Sequence, residues 1–173
     1  MSNLDLLAYN RAGQMFTAAN QAAKVCTLIN TSTATGFIVS NPWGSTKKVV
    51  IVDLTWTYTT APTAVATVWA CLSVAPSIVA HATTTAEGVY GADGSGVGGA
   101  VAKVYNVSTT PNLPVYVRQL GNPQVTVSGS APTTWPLRLE GSLILVPGAY
   151  MQVSYIGQAN TGQGSATWFE VPE

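Results

Sequence analysis

Hydrolytic and metal-dependent sites draw on imidazole, thiolate and carboxylate groups, and this chain carries one histidine, two cysteines and seven acids in 173 residues. A Ser-His-Asp arrangement would have to use His81, whose setting Ala80-His81-Ala82-Thr83 has no nucleophile-elbow or triad signature. The residue reads as part of a loop or sheet edge. No HxH, HExxH, CxxC or DxDxDG spacing occurs, so the pattern offers no local zinc or calcium site. Asp5, Asp53, Glu87, Asp93, Glu140, Glu170 and Glu173 stand singly, and any pairing for acid–base work is invisible at this level. The glycine-crowded stretch 87–100 lacks the Lys-Ser/Thr ending of a phosphate loop and reads as a plain loop. The expectation is a protein that is not an enzyme, with no catalytic residues, no metal and no cofactor.

Aromatic residues are the other carriers of function, because exposed rings stack on sugars and anchor interfaces. Trp56 and Trp69 lie inside strand-like runs and read as core. Trp43, in Asn41-Pro42-Trp43-Gly44, and Trp135, in Thr134-Trp135-Pro136, lie at turn signals and are the candidate exposed contacts, with a ring folded back over the end of the sandwich as the open alternative for each.

The elements that must position these residues are strands. From Lys24 onward, short β-branched runs alternate with Gly, Pro, Asn, Ser and Thr, as in a sandwich or barrel. The clearest run is 47–59, with Val50, Val52, Leu54, Trp56 and Tyr58 on an expected core face, opposite Val49, Ile51, Asp53, Thr55 and Thr57. The charge-free run 64–74 is expected to be buried on both sides. Further strands are predicted at 25–30, 36–40, 101–107, 113–120, 124–128, 137–146, 150–157 and 165–171. Pro147-Gly148 forms a turn and 158–164 a flexible connection. Leu137 and Leu139 alternate with Arg138 and Glu140, which places those charges outward. Eight to ten strands and almost no helix predict an all-β jelly-roll or Greek-key sandwich, residues 24–173.

Residues 1–23 differ in composition and are read as an N-terminal arm, with a short helix or a first strand as open alternatives. Leu4, Leu6, Leu7, Tyr9 and Phe16 are its candidate partner contacts.

Charge decides what kind of sandwich this is. Seven basic and seven acidic residues make 8% of the chain, about a third of the ~25% usual in soluble domains. A folded monomer of this mass exposes ~8,000 Å², or roughly one ionic side chain per ~600 Å². Net charge is zero and mean hydropathy is +0.26, so either a membrane or an assembly must cover much of the surface. Even the apolar run 143–147 is far too short to span a bilayer as a helix. The opening Met1-Ser2-Asn3-Leu4-Asp5 lacks a basic flank and a hydrophobic stretch, which predicts assembly in a cytoplasm and no membrane partner. Basic clustering stops at Lys47-Lys48, so no nucleic-acid partner is expected. Cys26 and Cys71, in β-branched surroundings, read as small buried hydrophobes.

Three stretches together resemble a known group: Asn41-Pro42 with Gly44-Ser45-Thr46-Lys47-Lys48-Val49-Val50-Ile51; Leu139-Glu140-Gly141-Ser142-Leu143 with Val146-Pro147-Gly148; and Thr167-Trp168-Phe169-Glu170-Val171-Pro172. They are similar to those of small tailed-bacteriophage virion proteins, in particular jelly-roll capsid decoration (cement) proteins. The resemblance spans most of the chain from Lys24. It implies a homotrimer bound outside an icosahedral head, on the virion surface, clamping major capsid protein subunits. Related jelly-roll domains in head fibres and tail tips make recognition of host surface glycans the alternative.

Overall fold

The short apolar alternations form strands because each buries one face against a partner sheet. A computed structural model describes residues 3–30, 32–60, 66–121 and 134–173. Among the described residues one helix, α1 (Asn3–Arg11), precedes twelve strands: β1 (Met15–Ala19), β2 (Lys24–Cys26), β3 (Ala34–Ser40), β4 (Lys47–Tyr58), β5 (Thr67–Ser73), β6 (Ala82–Glu87), β7 (Tyr90–Gly91), β8 (Lys103–Thr109), β9 (Pro114–Gly121), β10 (Thr134–Leu145), β11 (Tyr150–Ile156) and β12 (Asn160–Pro172). The strand expected at 124–128 lies outside the described residues. No helix among the described residues is long and apolar enough to cross a membrane.

Two antiparallel sheets form, ordered β10-β4-β12-β1-β7, with β2 beside β12, and β6-β8-β3-β11-β5-β9. The pairings are nested. β1 pairs with β12 and β4 with β10 in the first sheet, while β3 pairs with β11 and β5 with β9 in the second. A long hairpin whose successive rungs alternate between two sheets is a jelly roll. The strands beyond eight are accessories: β2, and the insertion β6–β8 between β5 and β9. In that insertion β8 extends the edge at β3, β6 adds to β8, and β7 pairs with β1.

The core lies between the sheets, around Phe37, Val39, Trp56, Met151, Tyr155 and Trp168. Indole Nε1 of Trp56 donates to Tyr155 Oη at 2.8 Å, so two large rings share the interior without an orphaned polar group.

Four sequence expectations are corrected by packing. In β4 the core face changes along the strand: Val49 and Ile51 point inward early, then Leu54 and Trp56. The cause is a β-bulge, since β12 pairs Trp168 with Ile51 and Thr167 with Asp53, skipping Val52. Strand β5 alternates between buried and half-buried positions and is not covered on both sides. Trp69 is half-buried, edge-on to Tyr116 at 5.7 Å. The connection 158–164 is already strand from Asn160, and its glycines face inward because rings lie over them. A Cβ on Gly162 would sit 2.6 Å from Trp56, and one on Gly164 2.5 Å from Phe37. Finally, the glycine-rich stretch contains β7 and a Tyr90–Val97 bridge.

The N-terminal segment folds onto its own chain. Asp5 in the first turn and Arg11 in the last suit the helix dipole of α1, and Gly13, at φ 64°, turns the chain out of it. Tyr9 then stacks on Phe169 of β12, centroids 4.3 Å apart. Strand β1 follows, so the sandwich begins at Met15. Phe16 is 3% exposed in the main core, tilted against Trp168, and is thereby a core residue and not a partner contact.

Candidate interaction surface

Three connections meet at one end of the sandwich: β3–β4, β5–β6 and β10–β11. Asn41 welds them. Fully buried, it donates from Nδ2 to the carbonyls of Lys47 (2.8 Å) and Leu145 (2.9 Å). Its own carbonyl accepts from Gly148 N, and the Gly148 carbonyl accepts from Ser77 N. Gly148 is required here on two counts: φ is 83°, and a Cβ would stand 2.7 Å from both the Ser77 carbonyl oxygen and the Trp43 ring. The expected turn at Pro42 forms, with Ser45 N donating to its carbonyl.

Trp43 rises from this platform 58% exposed, close over Gly148. On one side is a cleft of about 570 Å³ lined by Gly44, Ser45, Pro76, Val146, Pro147 and Glu173. On the other, a cavity of about 200 Å³ includes Ser77, Ile78, Val79, His81, Tyr105 and Pro111 in its wall. Ile78 and Val79, which share the cavity wall with Trp43, are exposed. Glu173 is the one acid among the residues lining either space, and neither contains Lys or Arg. Such a contiguous apolar patch on a rigid base is suited to contact with another molecule.

The remaining candidates divide. Leu7 is exposed on α1 and Leu6 is half-buried on it; Tyr9 is half-buried against Phe169. The side chains of Leu4 and Trp135 lie outside the described residues. The backbone of Trp135 is strand, not turn, paired opposite Trp56 in β10.

His81 sits in the cavity wall, its Nδ1 2.6 Å from Ser108 Oγ, edge-on to Tyr150 and tilted against Tyr105. Ser108 Oγ donates to the Thr109 carbonyl, so the network assigns the ring hydrogen to Nδ1. Burial pulls the His81 pKa down to about 4, which keeps the ring neutral. The pair has the composition of nucleophile and base. Ser108, however, is completely buried with its proton committed, so no substrate reaches it in this arrangement.

Glu170 and Glu87, which stand alone in sequence, acquire partners in space. Glu170, 1% exposed, accepts from the backbone N–H of Val101 (2.9 Å) and Ala102 (3.0 Å), from Trp168 Nε1 (3.4 Å) and from Lys47 Nζ (3.3 Å). It thereby staples the end of the glycine-rich stretch to β12. Glu87 Oε1 accepts from Asn106 Nδ2 at 2.6 Å. No sequence signal marks these roles, because the partners come from distant strands. Both cysteines are free and buried; burial raises Cys26 well above the ordinary thiol range and Cys71 to about 12. Among the described residues, no three His, Cys, Asp or Glu side chains converge as a metal site would need.

No protein-family model, curated protein or solved structure matches this chain.

Proposed function

We propose that this protein is a structural virion component, a decoration (cement) protein that binds the outside of a phage head as a homotrimer and stabilises the shell. The observation that carries the reading is the apolar collar of Trp43, Ile78 and Val79 on the Asn41–Gly148 platform, in a chain with 8% charged residues. A chain with 8037 Å² of surface and so few ionic groups gains solubility by covering apolar area. Two contacts of ~800 Å² per protomer, as a closed trimer provides, hide about a fifth of it. Binding the assembled lattice in preference to loose subunits stabilises it by mass action. The motif resemblance supplies the particle.

Sedimentation velocity and cosedimentation with capsids test this. The expected result is a trimer that pellets with heads, and loss of pelleting by the double variant Ile78→Ser/Val79→Ser with its fold intact. A monomer at micromolar concentration that stays in the supernatant refutes it. The second reading, a head-fibre or tail-tip module recognising host glycans, is favoured by one observation: an exposed indole flanked by clefts offers a stacking face. Sugar binding on a glycan array, abolished by Trp43→Ala, would select it.

A further inference from the structure

The smaller cavity beside Trp43 is built on the outer face of the second sheet. In β3, Phe37 and Val39 point into the core, so Ile38 and Ser40 point outward, and Tyr105 of β8 lies opposite Ile38 on that same face. Residues 77–81 lie against these strands, and His81 closes on Tyr105 and Tyr150 with ring centroids 5.3 and 4.9 Å apart. Between the two layers remains the space of about 200 Å³, with Trp43, Ile78 and Val79 as its exposed rim.

Its polar groups are unpaired. Ser40 Oγ, His81 Nε2 and Tyr105 Oη have no hydrogen-bond partner among the described residues, and none of the three is shut off from solvent. Ser40 is only 4% exposed and lines this cavity, so its hydroxyl is reached through it. The hydrogen on Nδ1 of His81 leaves Nε2 an acceptor, while the two hydroxyls donate or accept. No Asp, Glu, Lys or Arg lines the cavity, so a charged ligand would lose water without gaining a counter-ion. Three neutral hydrogen-bonding groups beside an exposed indole suit a ligand with hydroxyls around its edge and C–H groups on its face.

We infer that this cavity binds a neutral pyranose, one sugar ring with its hydroxyl edge toward Ser40, His81 and Tyr105 and a C–H face toward Trp43. A space of about 200 Å³ lies below the roughly 300–1,000 Å³ of drug-sized sites, which limits it to a single ring. Such a role rests on the second reading above, recognition of glycans, and adds which of the two spaces beside Trp43 takes the sugar and that the sugar is uncharged. A free monosaccharide and the terminal unit of a glycan share this chemistry.

The test is a ¹H–¹⁵N correlation titration of the full chain with glucose, galactose and mannose, with their methyl α-glycosides, with methyl glucuronide as the charged analogue, and with cyclohexylmethanol as a ring of similar size bearing one hydroxyl. Expected are saturable shifts at the amides of Ser40, Trp43, 78–81 and Tyr105 with at least one neutral sugar, and none with the glucuronide or cyclohexylmethanol. Binding of a methyl glycoside marks a glycan unit as the source; binding of the free sugar alone marks a monosaccharide. Ser40→Ala and His81→Phe should each weaken binding roughly 3- to 10-fold, the worth of one neutral hydrogen bond. If His81→Phe does not fold, Ser40→Ala, which removes a single oxygen, decides alone. Equal shifts with cyclohexylmethanol, which would mark a seat for a partner's apolar side chain, equal shifts with the glucuronide, affinity unchanged in Ser40→Ala, or no shift from any neutral sugar at about 100 mM, well above a millimolar Kd, overturns the inference. Shifts confined to the amides of 44–45, 146 and 173 also overturn it, by placing the sugar in the other cleft, and leave glycan recognition standing. No shifts together with a blank glycan array remove that reading as well.

Discussion

Replacing Glu170 by alanine removes four contacts at once from a carboxylate that is 1% exposed. Two of them are backbone N–H groups, Val101 and Ala102, the latter buried. The third is the Trp168 indole and the fourth the Lys47 ammonium, whose side chain is 34% exposed and returns to water. A lost hydrogen bond to a charged group costs about 1.5–3 kcal/mol, and breaking a buried pair about 3–5 kcal/mol. Because Lys47 rehydrates, the cost comes mainly from the stranded N–H donors, and Glu170→Ala should lose about 3–5 kcal/mol. For a chain of this size that is a Tm lower by roughly 10–15 °C. Glu170→Gln keeps one carbonyl acceptor for the two backbone donors and should cost about half as much. Lys47→Met leaves the fully buried carboxylate without its counter-ion but with its three N–H donors, and should cost about 1.5–3 kcal/mol, the worth of one hydrogen bond to a charged group. Urea unfolding at pH 7 and fixed protomer concentration measures all three, urea being uncharged so that the ion pair is not screened. A Glu170→Ala variant within about 1 kcal/mol of the parent would refute the claim that this carboxylate holds the glycine-rich stretch to β12.

His81 has a folded pKa of about 4 against about 6.5 unfolded, so between these values the unfolded chain binds more protons and stability falls as pH falls. Discounted for its partial exposure, the loss is roughly 2 kcal/mol, complete by about pH 4; urea midpoints between pH 7 and 5 should fall, and the slope should flatten in His81→Asn. Gly164→Ala should destabilise by about 1–3 kcal/mol because its Cβ meets Phe37 at 2.5 Å, which thermal unfolding will read. Neither Cys26 nor Cys71 should react with a thiol reagent in the native protein, and both should react in denaturant, since burial raises both pKa values; stoichiometric labelling of the folded chain would contradict the packing.

Much of the architecture is readable from residues alone, and for a local reason. Alternation within one strand and turn chemistry at Asn41-Pro42 and Pro147-Gly148 depend on neighbours in sequence, so an all-β sandwich and its main strands follow from them. The turn position of Trp43 is legible for the same reason, whereas the exposure of its ring over Gly148 is decided by how the three connections pack. Charge poverty is likewise a property of composition.

Register and partnership belong to the tertiary structure. The bulge at Val52 exists only because β12 pairs across it, so no periodicity in 47–59 announces the change of core face. Phe16 enters the core because β1 pairs with β12 some 150 residues away, and Gly162 and Gly164 are inside because the Trp56 and Phe37 rings occupy the space above them. Lys47 meets Glu170 across 123 positions, and Asp53, Arg138 and Glu140 share a pocket only where two bulged strands lie side by side. A side chain's direction is set by its own strand, but what it meets there is set by strands whose positions the chain settles only when the two sheets close on each other.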